Sequence, residues 1–534
     1  MREKQSKEKE WDEKTLVDES VDEFKPSPKR KSTNNNQAST QSNEKDDQPK
    51  GSFWSRCKDK WAFVLFLLFF AIYSGLSFWC IAYMAINYED VTNIDAPGNW
   101  DVSVSKGNGN NVQFKQAFDK ETGVELAGGT LIAIGMSFGL LFFVRQWPNV
   151  VIRMGPIFAI VFLAAGSAGC FYLGSVIQGA AYAVVAVIVI LSLFLMRSRY
   201  ELARVLLVTV NNAAKEHWSV FWTVLLGLLV QGIFAIWNIF TFVAVFLRFE
   251  PWHKKCKEGD YCSATLTWIL LAFVIVEYLW ISGLISGVVL AVMAGGPYAF
   301  WWRVHDTKEQ SESIWALRRA AGTSLGSFAF GSLFVTIVEV IAFLIKLCVK
   351  VICCNGPLAC LCNCCIDALQ SAIDTFNKYV YIKIGVREFK DSYLGAARGI
   401  KELVQKDSDY AVAALLNDCV VTLALTVTCI GNAVLVAGLT YIYISVINTS
   451  LKIDEWWDWL IILYSFILAL TVGLVLVSAL EAGVSTIFVC LDDDPRCLKN
   501  ERHKELYDYL RNSKNYPQMF KPDEVIYDNE KQKA

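Results

Sequence analysis

The stretch "CCNGPLACLCNCC" gathers Cys353, Cys354, Cys360, Cys362, Cys364 and Cys365, six of the sixteen cysteines in the chain. Thiolates at this spacing ligate zinc or iron–sulfur clusters in a reducing compartment. In an oxidising compartment the same residues make disulfides. A second chemistry rests on acids inside apolar sequence: Glu277 in "VIVEYLW", Glu339 in "TIVEVIAF", and Asp367 and Asp374 in "CIDALQSAIDTF". A carboxylate at membrane depth is expensive, so it marks a cation or proton path or is matched by a buried partner, for which Lys346 is available. Trp237, Asn238, Tyr278 and Trp280 lie in neighbouring apolar segments. A quaternary ammonium head has no N–H to donate, so aromatic faces and a carboxylate recognise it, each cation–π contact being worth ~0.5–2 kcal/mol. The competing account of these aromatics is the interfacial belt common to membrane proteins. The four histidines are scattered singly, and no nucleophile–base pair or metal-ligand spacing stands out, so neither an enzyme nor a bound cofactor is expected.

Segments able to hold such acids are plentiful. Of the 534 residues 54% are hydrophobic and 19% charged, and the mean hydropathy is +0.35, which describes a polytopic, all-α membrane protein. A net charge of −2 gives no reason to expect a nucleic-acid partner. Residues 1–55 are polar and of low complexity, and a disordered cytoplasmic tail is expected there. A spanning helix needs roughly 20 apolar residues. Runs of that kind occur at 61–86, 128–144, 155–196 (two helices divided at "GSAGCFYLGS"), 218–247, 264–293, 322–350, 416–446 and 459–480, nine in all.

Nine crossings conflict with the distribution of charge. With the N-terminal tail inside, the basic segments at Arg145 and Arg153, at Arg197 to Arg204 and at Arg303 to Arg319 fall on the cytoplasmic side, as the positive-inside rule asks. The basic stretch 387–406 and the basic tail after Arg496 satisfy the rule only if one more crossing lies between 350 and 387. Residues 358–386 supply it. Ile366, Leu369, Ile373, Phe376, Val380 and Ile384 recur at helical spacing, and Asp367, Gln370, Ser371, Asp374, Lys378 and Tyr381 form the opposite stripe. Such a helix lines a watery cavity; the alternative is a helix lying in the interface. The expected architecture is therefore ten transmembrane helices within 56–490, both termini cytoplasmic, and a cytoplasmic tail at 491–534.

Four stretches carry a family likeness: "WISGLISGVVLAVMAGGPYAFWW" (280–302), "RRAAGTSLGSFAFGSLFVTIVEVI" (318–341), the cysteine-rich turn with "FNKYVYIKIGVREFKDSYLGAAR" (376–398), and "STIFVCLDDDPRCLKNERHKELYDYL" (485–510). On these the chain resembles the choline transporter-like family, solute carrier family 44, in the lower-eukaryote branch that includes the fungal pH-nine-sensitive protein. The resemblance implies ten transmembrane helices with both termini cytoplasmic, a plasma-membrane location and carriage of a choline-like solute. Where relatives carry acidic, amide or histidine residues in the first stretch, this chain has Gly283, Gly287 and Leu290. Gly295, Gly296 and Pro297 invite a break in the helix.

The leading functional expectation is transport of a small organic cation, such as choline or ethanolamine, with Glu277, Glu339, Asp367 and Asp374 binding the cation or coupling protons. The alternative is a channel, lipid-handling protein or scaffold of the same fold. On this topology the cysteine cluster sits at the outer mouth, where a disulfide-tied turn is expected ahead of free or acylated thiols and of metal. Cys256 and Cys262 are placed for an outer-loop disulfide, and "NTS" at Asn448 is a formal glycosylation sequon close to the membrane. The acidic run Asp492, Asp493 and Asp494 reads as a solvated turn ahead of the tail helix. Besides the solute, the lipid bilayer is the one partner expected.

Overall fold

A computed structural model describes residues 53–86, 120–172, 174–195, 200–249, 264–303, 311–353, 357–406, 408–447 and 456–512. Cys256, Cys262, Cys354 and Asn448 fall outside these residues, as do the side chains of Cys353 and Cys360. Among the described residues there is no strand, and the helices follow the apolar runs: α1 Lys60–Ile86, α2 Lys120–Gln146, α3 Pro148–Tyr172, α4 Val176–Leu195, α5 Tyr200–Glu216, α6 Ser219–Phe249, α7 Ala264–Met293, α8 Glu312–Ala321, α9 Leu325–Cys353, α10 Pro357–Val386, α11 Tyr393–Lys406, α12 Ser408–Ile447, α13 Trp456–Asp493 and α14 Lys504–Asn512. The fold is all-α and polytopic. Seven helices, α1, α2, α6, α7, α9, α12 and α13, contain segments long and apolar enough to cross a membrane. Shorter apolar helical stretches lie in α3 and α4, which separate at Gly174, whose φ of +79° closes the turn.

α1, α6, α7 and α9 pack together, and α2, α3, α12 and α13 form a second group carrying α4 on α3. α10 is shared, since it contacts α7 and α9 on one side and α13 on the other. The outward faces remain apolar and exposed, as in Leu67 and Leu68 of α1 and Leu229, Ile233 and Ile236 of α6. A helix in lipid satisfies its backbone internally, so such faces need only be apolar.

Several elements differ from the expected ones. Two amphipathic helices, α5 and α8, occupy segments read as inside loops, because each buries one face: Leu202, Leu206 and Val210 of α5, and Ala316 and Ala320 of α8. α12 begins at Ser408 and α13 ends at Asp493, beyond the apolar runs, so Asp418 and Glu481 lie well inside continuous helices and not at their ends. The cysteine cluster is helical from Pro357 onward, so Cys362, Cys364 and Cys365 ride on the first turns of α10. After Met293 the α7 backbone passes through a π-turn, Ala294–Tyr298, before resuming as Ala299–Arg303. Pro297 lacks an N–H and its ring crowds the carbonyl four residues back, which breaks the α-register there.

Candidate functional site

α10 changes character part-way along. From Cys362 to Phe376 no residue is buried, whereas from Asn377 to Val386 every residue except Lys378 is. Asp367, Gln370, Ser371 and Asp374 belong to the open part. Asp367 is 62% exposed and pairs with Lys346 of α9, an arrangement worth about 0–1 kcal/mol at such exposure. Lys346 therefore serves Asp367 and not the glutamates. Half-buried Glu339 of α9 faces Asp374 closely enough for their charges to interact. Asp374 lies near the end of the open part, one helical turn before Lys378.

The predicted aromatic group lies elsewhere, between α1, α6 and α7. Trp237 Nε1 donates to Ser77 Oγ at 2.8 Å, and its ring meets Tyr73 edge-on at 5.4 Å. Asn238 Nδ2 donates to Tyr73 OH at 3.1 Å and to the Val274 carbonyl at 3.3 Å. Trp280, 2% exposed, donates to the Ala329 carbonyl at 2.9 Å and lies edge-on to Phe66 and Phe69. Tyr278 stacks on Phe234 at 5.9 Å. With these polar atoms engaged and these rings packed, the group joins α1, α6 and α7 and, through Ala329, α9. Glu277 is 1% exposed, and its Oε2 is sealed without a hydrogen-bond partner. The structure thus brings Glu339 and Asp374 together, and Trp237, Asn238, Tyr278 and Trp280 together, as two separate groups.

Below Asp374 the helix is clamped by charge. Lys378 Nζ lies 2.9 Å from Asp418 Oδ2 of α12 and 3.3 Å from Glu481 Oε1 of α13. Ser485 donates to Asp418 Oδ1 at 2.9 Å, and Thr422 to Glu481 Oε1 at 2.7 Å. The basic side chains that follow on α10 continue the seam: Lys383 reaches Asp492 at 3.4 Å and Arg387 reaches Asp493 at 2.8 Å. Tyr381 fills the space between α10, α7 and α9, donating to the Phe328 carbonyl at 3.2 Å. A Cβ on Gly287 or Gly331 would fall 2.6 or 2.7 Å from its ring carbons, so both positions require glycine. Gly295 and Gly385 touch backbone to backbone, a Cβ on the first lying 2.6 Å from the carbonyl carbon of the second.

The end of α10 is tied equally closely. Glu388 and Phe389 take left-handed conformations with φ of 58° and 60°, which non-glycine residues keep only when neighbours hold them. Arg319 donates to the Glu388 carbonyl at 3.2 Å, and Ser324 to that of Phe389 at 3.2 Å. Partial burial alone would raise the Glu388 pKa, but Lys390, Arg303 and Arg319 outweigh it and hold the carboxyl below its ordinary range. From the tail, His503 packs between Trp301 and Trp302 at 4.6 and 4.5 Å, with Nε2 3.1 Å from the Trp302 carbonyl. Burial pushes its pKa below the usual histidine value. Among the described residues no group of three or more His, Cys, Asp or Glu side chains is placed to hold a metal ion.

A family model described as plasma-membrane choline transporter matches residues 180–496, more than half of the chain. The chain belongs to the choline transporter family. The Cryptococcus neoformans protein PNS1 is 33% identical over 340 residues, which span 62% of this chain and 60% of that relative. The match to PNS1 of Mycosarcoma maydis is 29% identical and covers 88% of this chain and 85% of that one. PNS1 of Debaryomyces hansenii is 25% identical over 75% of this chain and 79% of its own. Membership agrees with the multi-pass membrane fold described above. Glu277, Glu339, Asp367 and Asp374, and the whole Lys378 triad, fall inside the matched region of this choline transporter family member. Sequence alone does not single out Asp418 and Glu481, because one sits at the start of an apolar run and the other just past the end of one. The signal that points to them is Lys378 itself, an ammonium in a buried helix that requires a carboxylate from elsewhere in the bundle.

Proposed function

We propose that this choline transporter family member carries a small organic cation, choline or a close relative such as ethanolamine, across the plasma membrane by alternating access. The observation that carries the reading is the abrupt burial boundary on α10 between Phe376 and Asn377, with Asp374 just before it and Glu339 of α9 close enough to Asp374 for their charges to interact. A polar half-helix that is open, followed by a half that is sealed, has the form of a vestibule closed at one end. The two acids attract a cation and leave it near the triad, Asp374 being one helical turn before Lys378. In this reading α10 is the tenth crossing, both termini are cytoplasmic, residues 56–490 form the carrier, and residues 1–55 and 491–534 are its tails. The vestibule then opens outward. The aromatic group around Trp237 and Trp280 supports the α1–α6–α7 packing and does not contact the solute.

Uptake of radiolabelled choline and ethanolamine into proteoliposomes tests the reading. A hydrogen bond to a charged group is worth about 1.5–3 kcal/mol, and the hydroxyl of choline or the ammonium of ethanolamine can donate one, so Glu339→Gln and Asp374→Asn each raise the KM for uptake by about 10- to 150-fold. Glu277→Gln, a buried acid outside this pair, leaves KM unchanged. Absence of uptake for every small amine tested, or unchanged KM in both vestibule variants, would sink the proposal.

A further inference from the structure

Past the π-turn α7 continues as one more helical stretch, Ala299–Arg303, whose Trp301 and Trp302 are 2% and 1% exposed. Five residues after a break are too few to hold a helical turn without tertiary support, and the last carbonyls of a helix have no partner within it. The support comes from the tail, 201 residues later in the sequence. The His503 ring lies against both indoles, and its Nε2 donates to the Trp302 carbonyl at 3.1 Å, so the tail supplies a cap for the end of α7. Trp302 Nε1 in turn donates to the Asp494 carbonyl at 3.1 Å, at the point where the tail leaves α13.

The tail itself is held by one face. His503, Leu506 and Leu510 are buried at the spacing of a single helical stripe, while Glu501, Lys504, Glu505 and Asp508 are exposed. α14 packs against α5, and the Arg502–Glu216 pair at its edge, 3.7 Å apart with 37% and 48% exposed side chains, adds little. A helix of nine residues keeps its shape only while docked. We propose that residues 495–512 are a releasable strap that locks the end of α7. Docked, the strap caps Ala299–Arg303 and covers its indoles, so the π-turn at Ala294–Tyr298 is held between two fixed helical pieces. Released, it leaves that stretch uncapped, and the π-turn, already out of α-register at Pro297, becomes a hinge. Arg303 still donates to the Val386 carbonyl at 2.7 Å and Tyr298 to the Ala479 carbonyl at 2.7 Å, so release loosens the end of α7 without detaching it. The strap acts on the backbone of α7 whether or not a solute is carried.

Hydrogen–deuterium exchange of the full chain in nanodiscs, read peptide by peptide, tests the strap. Local opening sets the exchange rate of each segment. Leu506→Asp/Leu510→Asp, which puts charge on the buried stripe and leaves α7 untouched, speeds exchange of 495–512 and raises that of 294–303 by about fivefold or more. His503→Ala, which removes the cap and keeps both leucines, raises exchange of 294–303 by about threefold or more. Peptides within 420–429 of α12 keep their wild-type rates in both variants, which shows that the bundle is folded. Wild-type exchange at 294–303 in either variant, protection of 495–512 that survives the double variant, or an acceleration shared equally by 420–429 would each overturn the proposal.

Discussion

Replacing Lys378 by Met removes the one cation set between Asp418 and Glu481. The side chains of Lys378, Asp418 and Glu481 are 22%, 8% and 27% exposed, so water compensates little of the charge left behind. At an effective dielectric of about 20, charges at 2.9 and 3.3 Å attract by roughly 5–6 kcal/mol each before desolvation is counted. Removing one member of a buried ion group costs about 3–5 kcal/mol net, and the partial exposure of Lys378 and Glu481 sets the expectation near 3. At about 2 °C per kcal/mol for a large domain, Lys378→Met lowers the thermal midpoint in detergent by roughly 6 °C. The triple variant Lys378→Met/Asp418→Asn/Glu481→Gln leaves no charge to compensate and regains most of that stability, because a buried ion group replaced as a unit is often neutral. Differential scanning fluorimetry on the four proteins, with Asp418→Asn alone as the fourth, gives the coupling. A single variant within about 1 °C of wild type, or a triple variant no more stable than the single, would refute a closed counter-ion unit.

Gly295→Ala forces a methyl group to within 2.6 Å of the Gly385 carbonyl carbon, so α7 and α10 must separate; overpacking of this kind costs about 1–3 kcal/mol. Gly283→Ala, whose nearest neighbour would be Ser332 Cβ at 3.4 Å, is the tolerated control in the same melting assay. His503 is buried with its pKa held below the ordinary value, so the undocked tail binds the extra proton more readily than the docked one. Docking is therefore undiminished above about pH 6.5 and weakens as pH falls below it. Limited proteolysis between 495 and 512 is several-fold faster at pH 5.5 than at pH 7.5 in the wild type, and His503→Phe abolishes the difference.

Much of the bundle was legible because membrane-depth sequence admits few solutions. A long uncharged run must be a helix. The charge pattern also points to a helix at 358–386, which hydropathy passes over, and α10 is helical there. What was not legible is pairing. Lys378 meets its acids at separations of 40 and 103 residues, and nothing in the local sequence of either acid names the partner. Tyr381 explains Gly287, but only once α7 and α10 are set side by side. Nor does the local sequence of Trp237 and Trp280 name the partners of their indole N–H groups, Ser77 and the Ala329 carbonyl. α5 and α8 were missed for the opposite reason. Their buried faces are short and interrupted, so only the neighbours they cover reveal them.

The seal and the break stand next to each other, and their contrast bears on the movement that the proposed transport requires. α10 is held to α13 through Lys378, Lys383 and Arg387, each on an acid of that helix, and to α7 by the backbone approach of Gly295 to Gly385. The ion pairs have long, flexible side chains that can follow a sliding or tilting neighbour. The glycine junction cannot stretch without opening a gap. Motion that unseals the buried half of α10 must therefore carry the adjoining part of α7 with it, or part the two helices where they are closest. The π-turn at Ala294–Tyr298 lies at that junction and has already left the regular α-register, so it is the place where α7 can change direction with the least disruption of hydrogen bonding. On the transport reading proposed above, opening bends α7 at the π-turn while α10 tilts along the ionic seam, with the clamped left-handed pair Glu388 and Phe389 at the fixed end.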